Sequence, residues 1–273
     1  MILSLKDVRK SYGATRALDG ISLDVGRGEI VAVLGPNGAG KTTAIEIAIG
    51  LRAPDSGDVR LFERSPRDPK TRLRLGVTPQ ESGFPDALSV GEIVRFGTAH
   101  YPHPAPTQAI LSAFGLKALS HRRAGALSGG ESRRLAVALA FAGNPDLVVL
   151  DEPTTGLDVE SRRQLWDVVR DYAVDRSVLF TTHYLEEAQA LATRVVVVDS
   201  GRVLFDGSTA ELRGRFGARR LSYAGKDGHV VVTIDDTDEY VRRLVRDGVA
   251  FSNLEIVPPT LEEAFLTVTG GRK

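Results

Sequence analysis

The chain has 273 residues, with 35 lysines and arginines against 35 aspartates and glutamates, so its net charge is zero. This length fits one large domain plus a small one, and 42% hydrophobic with 26% charged residues exclude disorder along the whole chain. The neutral balance argues against binding nucleic acid by bulk charge, and the absence of cysteine excludes disulfides, thiolate metal sites and cysteine nucleophiles.

The first part of the chain alternates short apolar strands with turns. Residues 30–34 (IVAVL) form a continuous apolar run, which predicts a strand buried on both faces, as in a parallel sheet. A glycine-rich loop at 35–40 and a predicted helix from 41 to about 51 follow it. Further strands are predicted at 2–8, 21–25, 59–62 and 75–78.

A helical subdomain is predicted at about 84–140, between two halves of the core. Its segments have helical periodicity, and three prolines, Pro102, Pro104 and Pro106, separate them. After it, apolar runs alternate with helical segments, which is typical of an α/β domain with a mostly parallel sheet. These runs predict strands at 147–150, 178–181 and 194–199.

The pattern changes again at about residue 217. The remaining residues predict strands at 229–234 and 250–257 and helices at 237–247 and 260–269. We therefore expect an α/β domain at 1–216, followed by a small C-terminal α+β domain at 217–273.

The strongest chemical motif is a P-loop between the strand at 30–34 and the following helix. Residues Gly35–Thr42 (GPNGAGKT) match the pattern GxxxxGK[ST]. Glycines allow backbone N–H groups to wrap a phosphate chain, Lys41 would reach its outer phosphates, and Thr42 would ligate Mg²⁺. The alternative is a glycine-rich turn that ends in Lys-Thr by chance, and the flanking strand and helix favour the P-loop.

Two further motifs lie downstream. The apolar strand 147–150 ends in Asp151 and Glu152, which predicts a Mg²⁺ contact and a group that activates water, although a solvated acidic turn would have the same sequence. Residues 127–131 (LSGGE) form a helix capping box by spacing alone. Beside a P-loop, their two glycines are also a candidate second cradle for an anion.

Together these motifs resemble the nucleotide-binding subunit of an ATP-binding-cassette (ABC) transporter. Four shorter elements match the family in the expected order: Tyr12 before the P-loop, Gln80 in VTPQ, Asp158 in GLD, and His183 in LFTTH. The resemblance covers about residues 1–216. It implies a P-loop NTPase core with a helical subdomain, in which ATP and Mg²⁺ bind and ATP is hydrolysed.

The resemblance also implies a role for each matching residue. Tyr12 would stack on adenine, His183 would touch the γ-phosphate, and Asp158 would cross a dimer interface. Gln80 would contact Mg²⁺ or the lytic water. The implied catalytic residues are Glu152, His183 and Gln80, and the implied metal ligands are Thr42, Gln80 and Asp151. The implied nucleotide-binding residues are Tyr12, Gly35, Pro36, Asn37, Gly38, Ala39, Gly40, Lys41, Thr42, Thr43, Ser128, Gly129 and Gly130.

The implied partners are a second copy of this chain and a membrane-spanning permease, and no nucleic acid is expected. No apolar run approaches the ~18 residues of a membrane span and no signal peptide is evident, so we expect a cytoplasmic chain held at the membrane through that permease. The tail at 258–270 (PPTLEEAFLTVTG) resembles the ending of ABC-2 type drug and lipid exporters. One departure is Glu131, where the family usually has Gln; we expect its side chain to turn back to the helix cap.

Two alternatives remain open at this point. A soluble ABC-type ATPase acting on nucleic acid or ribosomes would carry long heptads, a second cassette or zinc-binding cysteines, and none of these is present in the sequence. A non-catalytic regulatory subunit would have lost site residues, whereas Lys41, Asp151, Glu152 and His183 are all present.

Overall fold

A computed structural model describes residues 1–78, 83–226, 228–234 and 236–271. The chain divides into two compact units, Met1–Asp206 and Gly207–Lys273. The first unit ends ten residues before the boundary expected from the sequence, because helix Thr209–Phe216 packs against helix Leu261–Val268 within the second unit.

The first unit is built from nine strands and seven helices within the described residues. Its strands are β1 (Leu3–Tyr12), β2 (Thr15–Val25), β3 (Ile30–Leu34), β4 (Ser56–Leu61), β5 (Leu75–Thr78), β6 (Leu147–Asp151), β7 (Ser177–Thr182), β8 (Arg194–Asp199) and β9 (Arg202–Gly207), the last of which ends at the division. Its α-helices are α1 (Lys41–Ala48), α2 (Pro69–Arg72), α3 (Val90–Thr98), α4 (Thr107–Ala113), α5 (Gly129–Ala140), α6 (Val159–Tyr172) and α7 (Leu185–Leu191).

A six-stranded sheet in the order β5-β6-β7-β3-β8-β9 forms the centre of this unit. The pairs from β5 to β8 are parallel, whereas β9 follows β8 through a two-residue turn, which joins antiparallel neighbours. Every residue of β3, β6 and β7 is buried. The predicted α/β fold with a mostly parallel sheet is thus confirmed.

A second sheet in the order β2-β1-β4 is antiparallel. Its strands β1 and β2 form a long hairpin, where the sequence predicted only residues 2–8 and 21–25. The register shifts between Leu5 and Val8 and again before Arg9, and Asp7 has a φ of 47°. Such bulges interrupt the apolar–polar alternation, so the pattern in the sequence ended at the bulge while the strand continues.

The predicted helical subdomain contains α3, α4 and α5, with short 3-10 helices at Lys117–Leu119 and Ala124–Ala126. Helix α3 packs against both α4 and α5, and α5 also packs against β5 and β6 of the central sheet. The start of α5 therefore lies in the helical subdomain, while its later turns contact the sheet that carries the acidic residues.

The second unit consists of α8 (Thr209–Phe216), β10 (Arg219–Gly225), β11 (Gly228–Ile234), α9 (Thr237–Arg246), β12 (Ser252–Val257) and α10 (Leu261–Val268). Its antiparallel sheet has the order β11-β10-β12, and Leu221 and Tyr223 of that sheet pack with Leu244 of α9 in a small core. Across the described parts of both units, no helix has the length and apolar character that crossing a membrane requires.

Candidate active site

The loop between β3 and α1 is shaped by glycines that no other residue could replace. A Cβ atom on Gly35 would lie 2.2 Å from the carbonyl oxygen of Val198, and one on Gly40 would lie 2.5 Å from that of Ala17. Gly40 also has a φ of 102°, a conformation that residues with side chains rarely adopt. Gly38, at φ 80°, has open space where a Cβ would be, so this side of the loop faces the cleft described below.

Lys41 begins α1 and folds its side chain back over this loop. It is only 6% exposed, and its Nζ donates hydrogen bonds to the carbonyl oxygens of Gly35 at 2.8 Å and Pro36 at 3.1 Å. Burial lowers the pKa of Lys41, while the nearby carboxylates of Glu152 and Asp151 oppose that shift. The ammonium is thus a buried cation whose present partners are neutral carbonyls, which a phosphate oxygen could replace favourably.

A cleft of about 360 Å³ lies on the open side of the loop. It is lined by Tyr12, Thr15, Arg16, Ala17, Asn37, Gly38, Ala39, Gly40, Lys41, Thr42, Thr43 and Glu152. The sequence predicted nine of these residues from three separate motifs. The ring of Tyr12 is 41% exposed, and Lys10 Nζ lies 5.7 Å and Arg52 Cζ 5.5 Å from its centroid. An exposed ring beside a phosphate-sized loop is suited to stacking against a base.

Asp151 and Glu152 lie where β6 ends, and Thr181 of the neighbouring β7 holds both. The Thr181 hydroxyl donates to Oδ1 of Asp151 and accepts from the backbone N–H of Glu152 at 3.0 Å. Asp151 is 4% exposed, and Glu152 has a φ of 48°, in the left-handed region. The chain therefore turns after Asp151, whose carboxylate is held by Thr181, whereas Glu152 lines the cleft.

The Glu152 carboxylate contacts His183, which follows β7. Nδ1 of His183 lies 3.3 Å from Oε1 of Glu152, and the Thr155 hydroxyl donates to Oε2 at 3.4 Å. The Glu152 side chain is only 14% exposed, whereas that of His183 is 39% exposed. A carboxylate that lines the cleft and is held from two sides has the geometry of a general base.

The LSGGE loop begins α5 and lies outside the lining of this cleft. Ser128 is the N-cap of α5: its Oγ accepts from the N–H of Glu131 at 3.2 Å, and Oε2 of Glu131 accepts from the N–H of Ser128 at 2.7 Å. The expectation that Glu131 turns back to the cap is confirmed. The Ser128 N–H lowers the pKa of the Glu131 carboxyl, and Arg122, 3.1 Å away, contributes in the same direction. Ser128 and Gly129 are exposed, and a Cβ on Gly130 would lie 3.2 Å from the Gly156 carbonyl oxygen.

Asp158 is the N-cap of α6, close in sequence to Gly156. Its carboxylate accepts from the backbone N–H of Ser161 at 2.8 Å and from the Ser161 hydroxyl at 2.7 Å. These bonds, the backbone one first, lower the pKa of Asp158. Its carboxylate is thus engaged within its own chain, although the residue itself is exposed.

The donors available for a metal ion suit Mg²⁺ bound together with phosphates. In the described ranges, no group of three or more His, Cys, Asp or Glu side chains could hold a metal. The exposed Thr42 hydroxyl in the cleft and the Asp151 carboxylate are hard oxygen donors, and Mg²⁺ is typically held by one or two such groups plus phosphates and water. Gln80, predicted as a third ligand and as a catalytic residue, lies outside the described residues.

Five residues of the site were not predicted from the sequence: Thr15 and Ala17, which line the cleft, and the three described next. Thr181 organises both carboxylates, and Arg16 lines the cleft and pairs with Asp19 at 3.0 Å. Arg133 of α5 donates to the backbone carbonyls of the acidic turn. Thr181 could have been found from the sequence, because it lies two residues before His183. No local motif distinguishes the two arginines from surface residues.

Comparison with known proteins gives a consistent result. A family model described as ABC transporter matches residues 18–155. A daunorubicin resistance ATP-binding protein of Streptomyces coeruleorubidus is 35% identical over 98% of this chain and 96% of its own length. A Nod factor export ATP-binding protein I of Burkholderia thailandensis is 34% identical over 98% and 97% of the two chains. A doxorubicin resistance ATP-binding protein of Mycobacterium tuberculosis is 38% identical over 80% of this chain and 69% of its own.

Solved structures share the fold. The ATP-binding subunit of an ABC transporter superposes with a TM-score of 0.73 at 27% identity, covering 79% of this chain and 93% of that one. A dimeric ATP-binding cassette in a post-hydrolysis state, bound to ADP and phosphate, superposes with a TM-score of 0.69 at 24% identity, covering 76% of this chain and 98% of that one. At this identity, the second similarity concerns the fold.

Proposed function

The chain belongs to the ABC transporter family, and we propose that the cleft beside Lys41 is the site at which it binds and hydrolyses ATP. The protein is an ATP-binding, ATP-hydrolysing subunit that powers export through a separate membrane-spanning permease. The observation that carries the assignment of the site is that one cleft brings together an exposed aromatic ring, a phosphate-sized glycine loop with a buried lysine, and a carboxylate held by a histidine.

The loop and Lys41 would bind the phosphates. The first residues of α1 line the cleft, and the partial positive charge of the helix end favours anions there. Lys41 would exchange the carbonyl oxygens of Gly35 and Pro36 for oxygens of the outer phosphates, forming charge-assisted hydrogen bonds. Tyr12 would stack on the base at the other end of the cleft.

Glu152 is the proposed general base. It would accept a proton from the attacking water, and His183 would hold its carboxylate while facing the γ-phosphate. Thr42 and Asp151 would hold Mg²⁺, which when bound would neutralise charge on the phosphates. Gln80 completes this proposal from sequence resemblance alone, because its position lies outside the described residues.

Ser128, Gly129 and Gly130 are proposed to act on a second copy of this chain. They begin a helix, are mostly exposed and do not line the cleft beside Lys41. A two-fold axis would place the loop of each chain over the cleft of the other, making two identical sites from two chains. Asp158, at the start of the next helix, would lie at the same interface.

ABC ATP-binding subunits dimerise and work with membrane permeases. We place this chain as a homodimer on the cytoplasmic face of the membrane, held there by its permease.

The test is hydrolysis by Glu152→Gln. This variant keeps the shape of the side chain but removes the base, so we expect unchanged ATP affinity and a rate at least about a hundredfold lower. Glu255→Gln, an exposed carboxylate in the second unit, is the matched control and should hydrolyse at the wild-type rate. Wild-type hydrolysis by Glu152→Gln would overturn the assignment of the base, and absence of hydrolysis in the wild type would favour a regulatory subunit. Co-purification with a polytopic membrane protein, as opposed to ribosomes or DNA, distinguishes the transporter from the soluble alternative.

A further inference from the structure

The main chain that carries Glu152 is held in an unfavourable conformation. Its φ of 48° lies in the left-handed region, which a residue with a side chain adopts only when its surroundings require it. The turn occurs at the end of a buried parallel strand, where β6 leaves the sheet and its carbonyl groups lose their ladder partners. The turn supplies one partner itself, since the Thr155 N–H donates to the Glu152 carbonyl oxygen at 3.3 Å. Further donors come from outside the turn.

Arg133 of α5 supplies that binding. Its Nη2 donates to the carbonyl oxygen of Glu152 at 2.9 Å and also to that of Asp151, and its Nε lies 3.4 Å from that of Pro153. One guanidinium thus engages three successive carbonyl groups of the acidic turn. The Glu152 N–H donates to the hydroxyl of Thr181 at 3.0 Å and to its carbonyl oxygen at 3.2 Å, so both peptide groups of Glu152 are held by residues of other elements.

The chemistry of arginine matches this task. The planar guanidinium carries N–H donors on three nitrogens and can reach acceptors on successive residues, whereas all the donors of a lysine ammonium lie on one nitrogen. Arg133 is partly buried, and burial lowers its pKa, but the carboxylates of Asp151, Glu152 and Glu187 oppose that shift. The guanidinium therefore remains a cation inside an acidic surrounding, which keeps it against the turn.

The next residue of the loop is held independently. The Thr154 hydroxyl donates to Oε2 of Glu187 at 3.2 Å, and Glu187 is fully buried on α7. Loss of Arg133 would therefore release the carbonyl groups of residues 151–153 from this donor while leaving Thr154 and the path towards α6 in place.

We propose that Arg133 is a positioning residue for hydrolysis, which holds the Glu152 main chain so that its carboxylate faces the cleft and His183. The inference rests on the proposed function of Glu152 as the base. Because Arg133 lies five residues after Ser128, on the first turns of α5, it also ties the conformation of the base to the helix that begins with the LSGGE loop. A change at that loop would reach Glu152 through Arg133.

The experiment compares two variants with a control at the other end of the same strand. Arg133→Leu keeps much of the side-chain volume and removes every hydrogen-bond donor. Arg133→Lys keeps the positive charge and loses the planar guanidinium. The control is Arg176→Gln, since Nη1 of Arg176 binds Oδ1 of Asp146 at 2.7 Å just before β6 begins. Each variant is made in the full chain, alone and combined with Glu152→Gln. The measurements are kcat, KM for ATP, and backbone hydrogen exchange at residues 151, 152, 154 and 155.

We expect Arg133→Leu to lower kcat at least about tenfold with KM within about twofold, and to raise exchange at residues 151 and 152. The kcat of Arg133→Lys should be at least about threefold below that of the wild type, because an ammonium keeps the charge but cannot reach all three carbonyl groups. In the Glu152→Gln background, removal of Arg133 should have no further effect on the residual rate, since it acts through Glu152. Arg176→Gln should leave kcat and exchange at residues 151 and 152 unchanged. If Arg133→Leu does not fold, Arg133→Lys carries the same comparison.

Three results would overturn the inference: an equal loss in the Glu152→Gln background, a loss expressed in KM, or full recovery by Arg133→Lys. Failure of the proposed function looks different, because Glu152→Gln alone would then hydrolyse ATP like the wild type.

Discussion

Oε1 of Glu152 lies 3.3 Å from Nδ1 of His183, and the sheet register explains this proximity. Asp151 of β6 pairs with Thr181 of the adjacent parallel β7, so the residues just beyond these strand ends emerge side by side. The two side chains therefore meet because of strand order, although 30 residues separate them in the sequence. A proton on Nδ1 would let His183 donate to the carboxylate, and a hydrogen bond to a phosphate would need a proton on Nε2 as well, because both partners are acceptors.

This contact predicts that His183→Ala will slow hydrolysis without weakening the binding of ADP. The variant removes the group that orients Glu152 and that faces the γ-phosphate, which ADP lacks. We expect kcat to fall about ten- to a hundredfold, measured by phosphate release, with ADP affinity unchanged by titration calorimetry. The exposed His121→Ala is the control. A matching loss of ADP affinity would place His183 in nucleotide binding generally.

Lys41→Ala should weaken ATP binding by at least about tenfold and abolish turnover, because it removes a charge-assisted contact with the phosphates. Binding of a fluorescent ATP analogue measures the first effect and phosphate release the second. Lys6→Ala, an exposed lysine on β1, should change neither. A variant at position 41 that binds the analogue like the wild type would contradict the P-loop assignment.

The parts of the site that the sequence predicted are those in which neighbouring residues act together. Gly40 and Lys41 are predictable because the loop, its glycine conformations and the following helix are contiguous in sequence. Thr181 and Arg133 were not predictable, because they reach Asp151 and Glu152 through the order of strands and the packing of α5 on the sheet. The same distinction holds for the fold: the buried run of β3 was predicted correctly, whereas the continuation of β1 beyond the bulge at Asp7 was not.

Glu131→Gln should leave hydrolysis within about twofold of the wild type, because Gln can also serve the third position of a capping box. The stability effect should depend on pH. The folded-state pKa of Glu131 is lowered, so its charge contributes stability above about pH 4.5, and that contribution is lost as the pH falls through the folded-state pKa. Thermal unfolding should therefore show the variant less stable than the wild type at pH 7, by less than about 1 kcal/mol, with the gap closing in acid.

The division between the units predicts how the chain can be shortened. Every residue that lines the cleft lies between positions 12 and 152, so a chain ending at Gly207 should bind ATP within about twofold of the full protein. A chain ending at Phe216 retains α8 without α10, which exposes the fully buried Leu212, and it should aggregate more readily in light scattering. We infer that the second unit regulates or stabilises the dimer and holds no catalytic group. Loss of ATP binding in a folded chain ending at Gly207 would contradict this.

ATP should stabilise the dimer of two chains until it is hydrolysed. If each nucleotide contacts Lys41 of one chain and Ser128 of the other, its binding free energy adds to association through linkage. Glu152→Gln preserves binding and blocks the step that ends the closed state. With ATP and Mg²⁺, this variant should therefore shift from monomer to dimer in sedimentation velocity, and it should remain a monomer with ADP.

A second substitution tests which surface closes the dimer. Ser128→Arg places a bulky cation where the facing nucleotide would lie, so adding it to Glu152→Gln should restore the monomer while each chain still binds ATP. Arginine also removes the N-cap of α5, and Ser89→Arg controls for that loss because Ser89 forms the same capping box with Glu92 at the start of α3. Both substitutions are made in the Glu152→Gln background. If the chain with Ser89→Arg dimerises and the chain with Ser128→Arg does not, the LSGGE loop forms the interface. Equal dimerisation by both would show that the two chains join through another surface.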